Sequence, residues 1–162
     1  MTWVANFLSR VMAIQENVLH DIPEERRRAG YGRAAEVIVQ GPGGGVFELW
    51  FCEEGVRPKP ENVKIKNQVY MTEDTFLDML SPDVDLDDLI DIIEREGGIE
   101  KAVVRLYPRL DFRTAVANGL VTIGGDTSDV DSEEWARIME NVLLKIAFPI
   151  VIRGLLKKAK PK

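Results

Sequence analysis

Apolar and polar positions change their spacing along this chain from helical to alternating and back. Val4, Phe7, Leu8, Val11, Met12, Val18 and Leu19 recur at helical intervals. They predict an amphipathic helix over 2–20, with Thr2 as its N-cap and Pro23 as its stop. Residues 21–33 are polar, carry charges of both signs and read as a loop. From Ala34 the period is two. Strands are predicted over 34–40, with Val37 and Val39 on one face, and over 46–54, with Phe47, Leu49 and Phe51 opposite Glu48, Trp50 and Cys52. A third is predicted over 63–71, with Val63, Ile65, Val69 and Met71 opposite Lys64, Lys66, Gln68 and Tyr70. GPGGG (41–45) is a turn, and 55–62, limited by Pro58 and Pro60, is a loop or a short edge strand. One apolar and one wet face per strand indicates an antiparallel sheet.

The spacing then returns to helical. Thr72 can cap a short helix carrying Phe76, Leu77 and Leu80, broken by Ser81-Pro82. Asp85 can cap a second, with Leu86, Leu89, Ile90 and Ile93 inward and Gly97-Gly98 as its stop. Ile99, Ala102, Val103 and Leu106 fit a third, and Asp111 caps a turn of helix with Phe112, Ala115 and Val116 that ends at Gly119. Residues 120–126 predict a last strand. Asp131 with Glu134 resembles a capping box before Trp135, Ile138, Met139, Val142, Leu143 and Ile146, the best amphipathic helix in the chain. Strands and helices are segregated, so the class is α+β, in one domain spanning 1–162 without repeat or linker.

Composition narrows the chemistry. The 162 residues can support one core without disulfides or a structural metal. Cys52 is the sole cysteine, which suits a cytoplasmic protein. His20 is the sole histidine, which excludes sites that need two imidazoles. A net charge of −6 argues against nucleic acid as a general partner. No apolar run reaches the roughly 18 residues of a membrane span.

Several local patterns invite a chemical reading and have a plainer one. GPGGG lacks the following Lys-Ser/Thr of a phosphate loop and has strands on both sides, so a hairpin turn accounts for it. GYGRAA (30–35) follows an arginine run instead of a strand, unlike a dinucleotide fingerprint. Residues 72–100 hold eleven acids against one base, Arg95, but no calcium-loop spacing; a solvated helix face fits them better. Arg26, Arg27 and Arg28 read as a solvated loop end, and Cys52 as a packed strand residue. No nucleophile–base pair, metal set or cofactor motif emerges, and the chain is expected to be non-catalytic, with no cofactor and no metal.

The C-terminus is more distinctive. VLLKIAFPIVIRGLL (142–156) carries only two charges, Lys145 and Arg153, and is interrupted by Pro149 and Gly154; Lys157, Lys158, Lys160 and Lys162 follow. One helix on a single core does not need apolar residues on so many sides. A ligand, a partner subunit or an anionic membrane surface would cover them, or the helix is deeply buried in its own domain.

Four pieces stand in a telling order. The glycine-rich hairpin precedes a strand with Trp50. VYMTEDTFLDML (69–80) runs from strand into short helix. AVAN (115–118) leads into GLVTIGGD (119–126), and a long apolar helix follows from about Asp131. Over roughly 34–148 the chain resembles the lipid-binding domain of the sterol carrier protein type two family. It departs in two places: residues 81–110 are inserted where the family has a short connection, and an apolar extension follows Phe148.

The resemblance implies a twisted, mostly antiparallel sheet of four or five strands, covered on one face by helices, with an apolar tunnel between the layers. It implies non-catalytic binding or transfer of a lipid, such as a fatty-acyl or isoprenoid chain. By inward period and position beside the family's motifs, the expected tunnel wall is Val69, Met71, Phe76, Leu80, Phe112, Val116, Ile123, Met139, Leu143 and Ile146. Residues 81–110 would close or fill the tunnel, and the segment after Phe148 would gate it or touch a membrane transiently. The alternative is a non-catalytic interaction or dimerisation module whose apolar C-terminal helix docks on a protein partner or on a second copy.

Overall fold

The structure, a computed structural model, describes residues 2–14, 24–28, 31–128, 133, 136, 140 and 146–159. In chain order the elements are α1 (Trp3–Ile14), α2 (Glu24–Arg28), β1 (Ala34–Gln40), β2 (Gly45–Cys52), β3 (Gly55–Pro58) and β4 (Asn67–Thr72). There follow α3 (Glu73–Leu80), α4 (Leu86–Glu96), α5 (Ile99–Ala102) with a 3₁₀ turn over Val103–Arg105, α6 (Phe112–Ala117), β5 (Thr122–Gly125) and α7 (Phe148–Ala159). The predicted helix over 2–20 is present to Ile14; 15–20 lie outside the described residues.

Four of the caps expected from the sequence form; Asp131 and Glu134, expected to cap the helix that follows them, lie outside the described residues. Thr2 Oγ1 accepts from Ala5 N (3.3 Å) and Thr72 Oγ1 from Thr75 N (3.2 Å). Asp85 Oδ1 accepts from Asp88 N (2.9 Å) and Asp111 Oδ1 from Thr114 N (2.7 Å). Each occupies an amide that the first helical turn leaves without a partner. Gly97 ends α4 at φ 84°, a left-handed conformation that costs glycine nothing.

The five strands lie in the order β3-β2-β1-β4-β5. Neighbours run antiparallel except β1 and β4, which are parallel. The sequence reading placed the third strand at 63–71, next in an antiparallel meander. Gly55–Pro58 takes that place instead, and the chain then crosses to the free side of β1. Lys66 N donates to Ala34 O (2.9 Å), and pairing proper starts at Asn67, so Val63 and Ile65 precede the strand.

Two apolar cores form. The first joins Val4, Phe7, Val39, Met71, Phe76, Met79, Leu80, Ala115, Val121 and Ala147, with Val37, Phe47 and Val69 packed against it. Its sheet members all belong to one alternation, so the helices cover one face of the sheet. The second core joins Leu89, Val103, Leu106, Phe148 and Ile152, with Ile92, Ile93, Ile99 and Leu156 partly buried around it. It contains no strand residue.

Residues 81–110 and the apolar stretch after Phe148 therefore pack on each other. Residues 81–110 fold as α4, α5 and the 3₁₀ turn, and α7 lies against them. Phe148, Ile152 and Leu156, four apart, face this inserted segment, whereas Ala147, Ile150 and Val151 face the sheet-side core. A helix between two cores is apolar on more than one side, which explains the composition of 146–156 without an external cover. Nor do Pro149 and Gly154 end it: a wider π-helical turn at Ile146 and Ala147 leads into α7 just before Pro149, and the helix continues through Gly154.

Candidate functional site

Successive rows of side chains on the helix-covered face differ in how well they are sealed. Val39 pairs with Met71 across β1 and β4, and both are buried (2% and 5% exposed). The next row is Phe47, Val37, Val69 and Ile123, which the strand registers place side by side across β2, β1, β4 and β5. Here Phe47, Val37 and Val69 are only half-buried, and Ile123 is 43% exposed. The row is entirely apolar and spans three strand spacings, about 14 Å. The exposed Val116 and Leu120, on and just after α6, belong to the segment that leads into β5.

Both flanks of this row are built firmly. Beyond Val39 and Met71 lies an aromatic group in which the Phe76 ring meets Trp3 (5.7 Å) and Phe7 (5.9 Å, edge to face). Trp3 Nε1 donates to Glu73 Oε1 (2.5 Å), and Gly43 N donates to Glu73 Oε2 (3.2 Å). The glycine-rich turn thus offers an amide to the chain's own carboxylate, which stands where an external anion would have to bind. On the other flank, the buried Asn67 donates from Nδ2 to Gly124 O (3.1 Å) and Asp126 O (3.2 Å), and its Oδ1 accepts from Arg33. Arg33 also donates to Asp126 O (3.3 Å). Every polar atom of the Asn67 amide is occupied, so the row ends against a satisfied network.

Of the residues expected to wall a tunnel, Val69, Met71, Phe76, Leu80 and Phe112 come together in the sheet-side core. Ile146 is fully buried. Val116 and Ile123 are largely open, at 38% and 43%. Met139 and Leu143 lie outside the described residues. Val37 and Phe47, absent from the expected set, share the row with Val69. Their signal was the alternation of their own strands. Helical residues Glu133 and Glu140, two turns apart, both pair with Arg113 of α6 (3.3 and 3.2 Å).

Two of the remaining chemical candidates, Cys52 and Arg28, have structural partners. Cys52 Sγ donates to Gly55 O (3.3 Å) at the β2–β3 turn. Arg28 pairs with Glu24 within α2 (3.2 Å); the side chains of Arg26 and Arg27, and His20, lie outside the described residues. The acids Asp87, Asp88, Asp91 and Glu94 lie exposed along α4. Among the described residues, no group of three or more His, Cys, Asp or Glu side chains could hold a metal ion. Asp111 is the one group there with a clear shift: hydrogen bonds from the Thr114 amide, then its hydroxyl, hold the carboxyl below the ordinary aspartate range. Among the described residues, no helix is long and apolar enough to cross a membrane.

No protein-family model matches the chain, and no curated protein matches it. Among solved structures it is similar to a UbiJ-SCP2 ubiquinone synthesis protein, at 13% identity and TM-score 0.47, over 88% of this chain and 95% of that one. It is similar to the apo form of sterol carrier protein 2 from Yarrowia lipolytica, at 10% identity and TM-score 0.40, over 85% and 89%. It is also similar to sterol carrier protein domain 2 of Helicoverpa armigera, at 15% identity and TM-score 0.41, over 82% and 84%.

Proposed function

We propose that this chain binds one long apolar molecule, a lipid with a fatty-acyl or isoprenoid chain, between the sheet and its helices, and carries it without chemical change. The observation that supports this reading is the Phe47–Val37–Val69–Ile123 row, apolar throughout yet half-covered on a face whose next row is sealed. A flexible chain laid along it would gain about 0.8 kcal/mol per buried methylene. Twelve carbons would gain on the order of 10 kcal/mol before ordering costs, which take up about half. Val69, Met71, Phe76, Leu80, Phe112 and Ile146 would form the inner wall, Val116 and Ile123 the open side, and Met139 and Leu143 would contribute from the segment before α7. Such a site needs no catalytic group and discriminates chain length weakly.

Transient contact with an anionic membrane would use the end of α7, where Leu155 (39% exposed) stands beside exposed Lys157 and Lys158. Docking of α7 on a protein partner or a second copy would have to displace the inserted helices from Phe148 and Ile152, both fully buried. That packing favours the ligand reading. A titration with the fluorescent fatty acid cis-parinaric acid tests it. Saturation near one probe per chain is expected; no saturable binding would overturn it.

A further inference from the structure

We infer that segment 81–110 is a latch that holds α7 against the sheet-side core adjoining the apolar row, and so sets the rate at which a bound molecule leaves. This rests on the ligand reading above. The segment leaves and rejoins the main fold at one point, where Pro82 and Pro108 form an antiparallel bridge. Beyond that neck it has a core of its own with no strand residue in it. Its chief contact is with α7, whose Phe148 and Ile152 are fully buried there. Towards the sheet, Ala147 is buried, but Ile150 and Val151 of α7 are only half-buried. α7 therefore buries its side chains more fully against segment 81–110 than against the sheet-side core. At the rim, Arg153 of α7 pairs with Glu100 of α5 (2.5 Å), and both side chains are mostly exposed. This pair orients the contact and adds little strength.

The latch is separable from the sheet. Leu89 is 1% exposed and belongs to the inserted core alone. Leu89→Ala should loosen α7 while leaving the sheet-side core untouched. We expect cis-parinaric acid to leave this variant about tenfold faster or more in stopped-flow displacement, and α7 amides to exchange hydrogen faster by a similar factor. The amides of Val37 and Val69 should keep their protection. Glu100→Arg and Arg153→Glu should each raise the release rate about twofold, and the double exchange should restore it. If Leu89→Ala fails to fold, the milder Val103→Ala in the same core decides the matter: faster release with faster α7 exchange supports the latch, and no change in either overturns it. Unchanged release and unchanged α7 exchange in a folded Leu89→Ala also overturn it. A wild-type chain that binds no probe would instead defeat the ligand reading. Exchange in α7 would then decide the latch alone, faster in the variant supporting it and unchanged overturning it.

Discussion

Pro82 and Pro108 face each other across a two-residue-wide neck, closed by Asp83 N donating to Tyr107 O (2.8 Å) and Arg109 N donating to Ser81 O (2.9 Å). Neither proline has an N–H to contribute, so the neighbouring amides make the bridge. The inserted helices thereby leave the main fold and return to it without stretching the elements on either side. Replacing residues 84–106 by Asn-Gly should leave a sheet domain that still melts cooperatively, at a lower temperature. It should also bind more anilinonaphthalene sulfonate, because Phe148 and Ile152 are bared. Loss of the cooperative transition in calorimetry would show that the sheet-side core depends on the insertion.

The glycine-rich turn is a packing device, and its residues should not tolerate a side chain equally. A Cβ on Gly43 would come within 2.3 Å of the Trp3 ring, and one on Gly44 within 1.9 Å of the Val39 carbonyl oxygen. A ring can shift, whereas a strand carbonyl cannot shift without disturbing β1. Gly43→Ala should cost about 1–3 kcal/mol, and Gly44→Ala more, measured by urea unfolding. At exposed Gly154 in α7 a Cβ meets nothing within 4 Å. Gly154→Ala should stabilise the protein by about 0.5–1 kcal/mol.

Asp111 gives a pH-dependent prediction with a definite sign. Its folded-state carboxyl titrates below the ordinary value because Thr114 donates to it from amide and hydroxyl. A carboxylate with a depressed pKa stabilises the fold above its unfolded pKa, near 4, and loses that contribution as pH falls through the folded value. Asp111→Ala should cost about 1 kcal/mol at neutral pH, typical of a lost N-cap. The difference from wild type should shrink as pH falls below about 4. A constant difference across that range in denaturant melts would show that the capping charge is not responsible.

Much of this architecture was legible from local pattern. Thr72, Asp85 and Asp111 cap the helices they precede because a short polar side chain before an apolar run has one good use. Alternation identified Val37 and Val39 of β1, Phe47 of β2, and Val69 and Met71 of β4 as inward residues. Pairing across distance was not legible. Nothing in residues 59–66 says that the chain will pass β1 and run parallel to it, because period two specifies a face and not a neighbour. The insertion and the C-terminal extension each stood out as a departure, one acidic and helical, the other apolar all round. That each covers the other follows only from the tertiary structure, where Leu89 and Val103 meet Phe148 and Ile152. In the candidate site, Val69 and Met71 share an inward face, but only the register with Ile123 shows that one row is sealed and the next half-open.

The half-open row, as the proposed ligand site, should separate binding from stability. Ile123 is 43% exposed, so Ile123→Asp should cost only about 1 kcal/mol of stability. It places a carboxylate at the open side of the row and should weaken cis-parinaric acid binding about tenfold or more. Val4→Ala, in the sealed core away from the proposed wall, should show the opposite pattern: roughly 1–3 kcal/mol lost in stability with affinity little changed. Equal effects of both variants on affinity would mean that the row is not where the probe sits.

The central claim is that an apolar molecule occupies the space between sheet and helices. Mass spectrometry of an organic extract from the purified protein, with a delipidated sample as control, tests it most directly. One class of aliphatic-chain lipid is expected, at close to one molecule per chain. An empty extract from protein that also fails to take up added fatty acid would contradict it.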